Sequence, residues 1–239
     1  MVNILDNIRT ELYADGANLD EIKQLSSNDL IKGFTTNPSL MRKSGIDDYE
    51  KFSKEVIKIV APKSISLEVF ADELDEMKIQ AEKISTWGGN VYVKIPIQNT
   101  KKQLTNDLVG FLNKKKIKLN VTAIFTIEQI EGLINKINNE TPIIFSIFAG
   151  RIADAGIDPI TIMKKSVDLC KDYKNVKILW ASPREVYNII QANDCGVHIL
   201  TATNDILKKT TLFGKDLNQY SLETVEMFYK DALASKYKI

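Results

Sequence analysis

The chain has 239 residues, with 32 Lys and Arg against 31 Asp and Glu, for a formal net charge of +1. A chain of that length buries roughly 70% or more of its unfolded surface without a metal or disulfide staple, and its 44% apolar and 26% charged residues exclude a disordered or fibrous class. Balanced charge gives no long-range attraction to nucleic acid or an anionic membrane, and no apolar run approaches the ~18 residues that span a bilayer.

Two cysteines, Cys170 and Cys195, occur without a CxxC pair, which fits a reduced, cytoplasmic chain. The opening MVNILDNIRT lacks the zones of a signal peptide. A single histidine, His198, excludes paired-His zinc motifs and is expected to be a buried structural residue.

Eight short apolar runs follow one another: ELYAD (11–15), GFTTN (33–37), SISLEVF (64–70), VYVKIPI (91–97), LNVTAIF (119–125), PIIFSIF (142–148), VKILWAS (176–182) and VHILTAT (197–203). Between them lie stretches such as DELDEMKIQAEKIS and IEQIEGLINKI, with apolar residues at three- and four-residue steps, the helical period. Alternating strands and helices predict a parallel sheet, and eight such units predict one α/β domain over residues 1–239, a (β/α)₈ barrel covering about 11–210. An open doubly wound sheet is the rival, but neither GxGxxG nor GxxxxGK[ST] occurs. Beyond the eighth strand, residues 221–237 read as an additional amphipathic helix that could cover the barrel or reach a neighbouring subunit.

Strand alternation then selects inward side chains. In VYVKIPI the β-branched face (Val91, Val93, Ile95, Ile97) belongs against the helices, so Lys94 points inward with Tyr92 and Pro96. Burial should push a lone ammonium toward its neutral form, which suits Schiff-base chemistry with a carbonyl; a lysine held in a buried ion pair is the competing explanation. The same alternation turns Ser66 and Glu68 inward while Ile65, Leu67 and Val69 face out. Asn120 and Thr122 face in while Leu119, Val121 and Ala123 face out. Ser146 pairs with Phe148, Trp180 with Ser182, and Asp15 with Glu11 and Tyr13 on lining faces. Acid, amide and hydroxyl groups converging on a lysine are too costly for a core that only packs.

Only four arginines occur, and two of them, Arg151 and Arg184, stand just past strand ends, where a guanidinium fork could hold a phosphate; a surface salt bridge is the alternative.

The segments GFTTNPSL (33–40), VYVKIPI, NVTAIFT (120–126), FSIFAGRIADAG (145–156) and ILWASPRE (178–185) resemble the transaldolase family, particularly its shorter members. That resemblance implies a (β/α)₈ barrel and a class I Schiff base on Lys94, with no metal or organic cofactor. It implies Asp15 as the proton-transfer carboxylate and Glu68 as an acid/base acting through a water with Thr122. Asn37 and Ser146 would hold sugar hydroxyls, Asn120 would lie beside the Schiff base, Thr35 and Thr36 would shape the pocket wall, and Arg151, Ser182 and Arg184 would bind phosphate. Fructose-6-phosphate aldolases in this family resemble one another in carrying glutamine and tyrosine where this chain has Glu68 and Phe148, so the pair resembles a transaldolase.

The expectation is a transaldolase that moves a dihydroxyacetone unit between sugar phosphates, with no nucleic acid or membrane partner. The resemblance also implies homo-oligomers through the C-terminal helix. A fructose-6-phosphate aldolase-like enzyme, a divergent sugar-phosphate aldolase and a non-catalytic sugar-phosphate binder stay open. The chain departs from the family pattern at Gly16, at Pro183 and in the residues preceding the first strand, which leaves the donor and acceptor sugars open.

Overall fold

The computed structural model describes residues 4–235. Eight strands run β1 Glu11–Asp15, β2 Ile31–Thr35, β3 Ser64–Glu68, β4 Val91–Pro96, β5 Leu119–Ile124, β6 Ile143–Ile147, β7 Val176–Trp180 and β8 Ile199–Ala202. Each pairs in parallel with its neighbours in sequence, and β8 pairs with β1 to close the barrel. Every expected strand is present; most are trimmed at their C-terminal ends, where the last residues turn out into loops.

Two shells explain the apolar sequence. The outward residues of the strands pack with helix residues such as Val56, Met77, Leu112 and Met163 in one continuous core. A smaller cluster of Tyr13, Ile144, Leu179, Ala181 and Ile199 fills the barrel interior. Burial of this order, at ~25 cal/mol per Å² of apolar surface, is the main favourable term of folding.

Strand parity stacks the interior in layers drawn alternately from even and odd strands. Gly33, Tyr92, Ile144 and Ile199 make one layer, with Tyr13, Ser66, Asn120 and Leu179 above it. Thr35, Lys94, Ser146 and Thr201 come next, and Asp15, Glu68, Thr122 and Ala181 close the C-terminal end. The composition therefore changes from apolar to polar along the barrel axis. At the opposite end, Glu11 and Lys177 pair across β1 and β7 at 2.7 Å.

The register shifts between Leu12 and Tyr13 where β1 meets β2, and the alternation fails in two further places. After Val121 the register of β5 shifts and Ala123 takes φ 59°, so Ala123 lines the cavity instead of facing outward. In β7 the outward residues are Ile178 and Trp180, and Trp180 is 1% exposed in the outer core. Trp180 was expected at the site and does not line it; Ser182 reaches the cavity from the wrong parity because its backbone sits at φ 56°. His198 is also corrected: its side chain is exposed, and Nδ1 accepts a hydrogen bond from the Ile178 amide at 3.0 Å.

The C-terminal helix begins at Leu217, earlier than expected, because the Asp216 carboxylate accepts the Gln219 amide at its start. It runs to Ser235 with no buried residue; residues 236 and 237 of the expected span lie outside the described residues.

Gly33 leaves the space that the Tyr13 ring occupies: a Cβ there would lie 2.5 Å from that ring and 2.7 Å from Ser64 Oγ, to which the Tyr13 hydroxyl is bonded. Gly33→Ala should cost about 1–3 kcal/mol as an overpacked core and lower Tm by roughly 2–10 °C in a calorimetric scan.

Candidate active site

The C-terminal end of the barrel opens into a cavity of about 310 Å³. Its lining includes Asp15, Thr35, Asn37, Glu68, Lys94, Asn120, Thr122, Ser146, Phe148, Arg151 and Ser182. Eleven of the expected site residues therefore meet on one surface, drawn from β1 to β6 and from the loops beyond β2, β6 and β7.

Lys94 sits at the centre. Its side chain is nearly buried, and Nζ lies 3.0 Å from Glu68 Oε2 and donates to the Thr36 carbonyl at 3.0 Å. Register makes this pairing unavoidable, because Lys94 is aligned with Glu68 on one side and Asn120 on the other. The ion pair posed as the competing explanation is thus present, yet it does not compete with chemistry. A carboxylate in hydrogen-bond contact is an acceptor for the proton that Lys94 must lose before its nitrogen can attack a carbonyl.

The TTNP segment organises the other carboxylate. Thr35 Oγ1 donates to Asp15 Oδ1 at 2.8 Å, and the Asn37 amide reaches Asp15 Oδ2 at 3.4 Å. Asn37 Oδ1 meanwhile caps the helix Pro38–Lys43 by accepting the Leu40 amide, and Pro38 supplies the fixed φ of the first helical position. Thr36 lies outside the cavity lining; its hydroxyl donates to the Ser66 carbonyl while its own carbonyl receives Lys94. Burial holds the Asp15 carboxyl above the usual carboxylate range, offset in part by the Lys94 charge and the Thr35 hydrogen bond.

Asn120 is locked from both sides. Its Nδ2 donates to Ser66 Oγ at 2.9 Å and its Oδ1 accepts from Ser146 Oγ at 2.7 Å, which fixes the amide orientation beside the lysine. Thr122 differs: its hydroxyl is buried and has no hydrogen-bond partner among the described residues. An unsatisfied buried hydroxyl facing a polar cavity is a place for a water or a substrate oxygen.

A cationic pole lies across the cavity. Arg151 is exposed, with its guanidinium 5.6 Å from the Phe148 ring centroid, and Phe148 in turn packs on Phe125. Gly150 approaches the β7 loop so closely that a Cβ would fall 1.5 Å from the Ser182 carbonyl oxygen, and this contact brings Arg151 and Ser182 together. Arg184 does not join them. Its fork is engaged bidentately by Asp154, with Nε to Oδ1 at 3.0 Å, and it does not line the cavity.

Thr201 was missed by the sequence reading. It is buried, lines the cavity from β8, and its Oγ1 lies 2.6 Å from Thr35 Oγ1. Alternation in VHILTAT carries that signal, since Leu200 and Ala202 pack outward, but the phase of this run had not been assigned.

A family model described as Transaldolase/Fructose-6-phosphate aldolase matches residues 12–238. A protein of Listeria monocytogenes named probable transaldolase 2 is 34% identical over 200 residues, covering 83% of this chain and 87% of its own. One from Methanococcus maripaludis named probable transaldolase is 33% identical over 214 residues, covering 89% and 94%. Among solved structures, KGPDC from Streptococcus mutans superposes with a TM-score of 0.55 over 83% of this chain and 90% of that one, at 11% identity, a likeness of fold alone.

The buried acid yields a stability prediction with a definite sign. A carboxyl whose folded-state pKa is raised costs nothing below its ordinary value of 3.8, where it is protonated in both states, and costs stability as pH rises through the folded value. Asp15→Asn should therefore raise Tm at pH 7, and the gain should shrink steadily as the melting series is taken toward pH 4.

Proposed function

The chain belongs to the transaldolase/fructose-6-phosphate aldolase family, and from that premise we propose that it is a lysine Schiff-base transaldolase. It transfers a dihydroxyacetone unit from a ketose phosphate to an aldose phosphate. The observation that carries this reading is one buried amine in contact with one carboxylate, with a second, protonation-prone carboxylate lining the same cavity. Sugar-phosphate binding alone would need none of the three.

Lys94 transfers its proton to Glu68, and the free amine attacks the C2 carbonyl of the ketose. Glu68 then protonates the carbinolamine hydroxyl through a water held by the Thr122 hydroxyl, and water leaves to give the iminium. Asp15 accepts the C4 hydroxyl proton as the C3–C4 bond breaks. The bonding pair moves into the iminium as an enamine, and an aldose phosphate departs. The enamine carbon then attacks the acceptor aldehyde, whose oxygen takes the proton from Asp15, and hydrolysis returns Lys94.

Asn120 orients the amine side of the intermediate, and Asn37 and Ser146 hold hydroxyls of the three-carbon unit. Arg151 and Ser182 bind the phosphate. Arg184 joins them by exchanging Asp154 for the phosphate, at little cost because exposed ion pairs contribute about 0–1 kcal/mol. Remote binding energy at that pole orients the reacting end. Two separate buried thiols, Cys170 and Cys195, fit a reducing cytoplasmic setting.

The C-terminal helix supports a homo-oligomer. Val225, Phe228, Tyr229 and Leu233 stand exposed on an element that buries nothing in its own chain.

Borohydride trapping with fructose 6-phosphate should leave a three-carbon adduct on Lys94, visible by peptide mapping and absent in Lys94→Met, whose kcat should fall by about 10³-fold or more. Glu68→Gln should lose roughly 10²-fold in kcat. Release of glyceraldehyde 3-phosphate only when erythrose 4-phosphate is added supports transfer, and release without an acceptor supports the aldolase alternative. Light scattering on the wild type should give a multiple of 27.0 kDa, and Val225→Glu with Tyr229→Glu should reduce it to a single chain with an unchanged circular dichroism spectrum.

A further inference from the structure

Thr201 lies on β8, Asp15 ends β1, and Thr35 ends β2, so β1 runs between the two threonines. Thr201 is aligned with Tyr13 and Thr35 with Asp15, while Ala14 between them faces outward. The gap left on the inner surface lets the two hydroxyls meet at 2.6 Å, and Thr35 continues to Asp15 Oδ1 at 2.8 Å.

Each hydroxyl owns one proton, which fixes the direction of this chain. When Asp15 is ionised it can only accept, so Thr35 donates its hydrogen bond to Asp15 Oδ1 and Thr201 must be the donor to Thr35. When Asp15 is protonated it can donate to Thr35, Thr35 donates to Thr201, and the Thr201 proton turns toward the cavity that Thr201 lines. No atom moves further than a hydroxyl rotation.

We propose that Thr201 is a positioning residue for Asp15, acting through Thr35 as the outer member of a hydroxyl chain whose donor direction reverses when Asp15 takes up the substrate proton. This inference rests on the reading of Asp15 as the acid/base of carbon–carbon cleavage. It supplies what that role needs: a carboxylate whose two protonation states are both satisfied without solvent. Other groups also face Asp15. Lys94 from β4 favours its ionised form and Glu68 from β3 opposes it. The Asn37 amide touches Oδ2, and Glu21, Lys43, Asp205 and Lys208 line the hollow on its other side. Among the described residues, only Thr201 reaches Asp15 through a second hydroxyl.

The test compares Thr201→Val, which removes the hydroxyl and keeps the shape, with Thr201→Ser, which keeps the hydroxyl. In Thr201→Val the chain is cut, so the ionised carboxylate loses support. The acid limb of kcat should move up by roughly one pH unit and kcat should fall about tenfold, while borohydride trapping on Lys94 stays at the wild-type level. Thr201→Ser should keep the wild-type limb. In parallel, carboxyl carbons labelled with ¹³C, with Asp15→Asn as the assignment control, should show the Asp15 titration moved upward in Thr201→Val and unmoved in Thr201→Ser.

A limb and a titration that coincide in wild type and Thr201→Val overturn the proposal. Should Thr201→Val fail to fold, Thr201→Ala is read in its place, and loss of the fold in both overturns it, because Thr201 is then a packing residue. If the wild type neither traps nor turns over, the transaldolase reading is what fails. The carboxyl titration still decides whether Thr201 governs Asp15.

Discussion

A buried ammonium has to be neutralised, and the architecture of this barrel follows from how that requirement is met. Removing one partner of a buried ion pair typically costs about 3–5 kcal/mol, so Lys94 and Glu68 act as one structural unit as well as one reactive unit. Their alignment on adjacent strands follows from register, without any loop having to find its place. The Thr36 carbonyl completes the lysine's shell, which ties the loop after β2 to the centre of the site. Asn120 is then held by hydroxyls on both sides, so the polar layer is internally satisfied except at Thr122. That exception falls where the proposed reaction must admit water.

The polar layers rest on an apolar one. Tyr13, Ile144, Leu179 and Ile199 fill the barrel below the lysine and leave the cavity open in one direction. Burial raises the Asp15 carboxyl, and the Lys94 charge and the Thr35 hydrogen bond offset only part of that effect, so the ionised residue costs the fold stability. Function and stability pull in opposite directions at that residue, and the barrel tolerates the conflict because its outer core is continuous.

Much of this was legible in the sequence because a strand has a period of two. Lys94, Glu68, Asn120 and Asp15 all lie on regular stretches, and parity sufficed to turn them inward. The misreadings fall where the backbone leaves that period. Ser182 and Ala123 adopt left-handed conformations that no side-chain pattern announces, and counting through Ser182 put Trp180 on the wrong side of its strand. Arg184 stands outside the cavity lining for another reason: the sequence shows a guanidinium near the site, but Asp154 as its partner comes from a separate element and becomes a neighbour only on folding. Thr201 shows the reverse case, a regular position whose phase was readable. His198 illustrates that an apolar sequence neighbourhood does not bury a residue at a strand's exposed start.

The contact between Gly150 and the Ser182 backbone has a consequence for how such a barrel can diversify. With no room for even one methyl group between them, the segments following β6 and β7 form a single rigid rim. Neither can move at that point without the other, so change there comes more readily through exchange of side chains than through altered loop length. The rim beyond β3 and β4 is joined differently, through Thr100 bonded to Asp72 at an exposed position, a link that a changed loop can give up cheaply. Variation in loop length among barrels of this construction should accordingly gather on the β3–β4 side, leaving the Arg151 side as the fixed pole against which new substrates are measured.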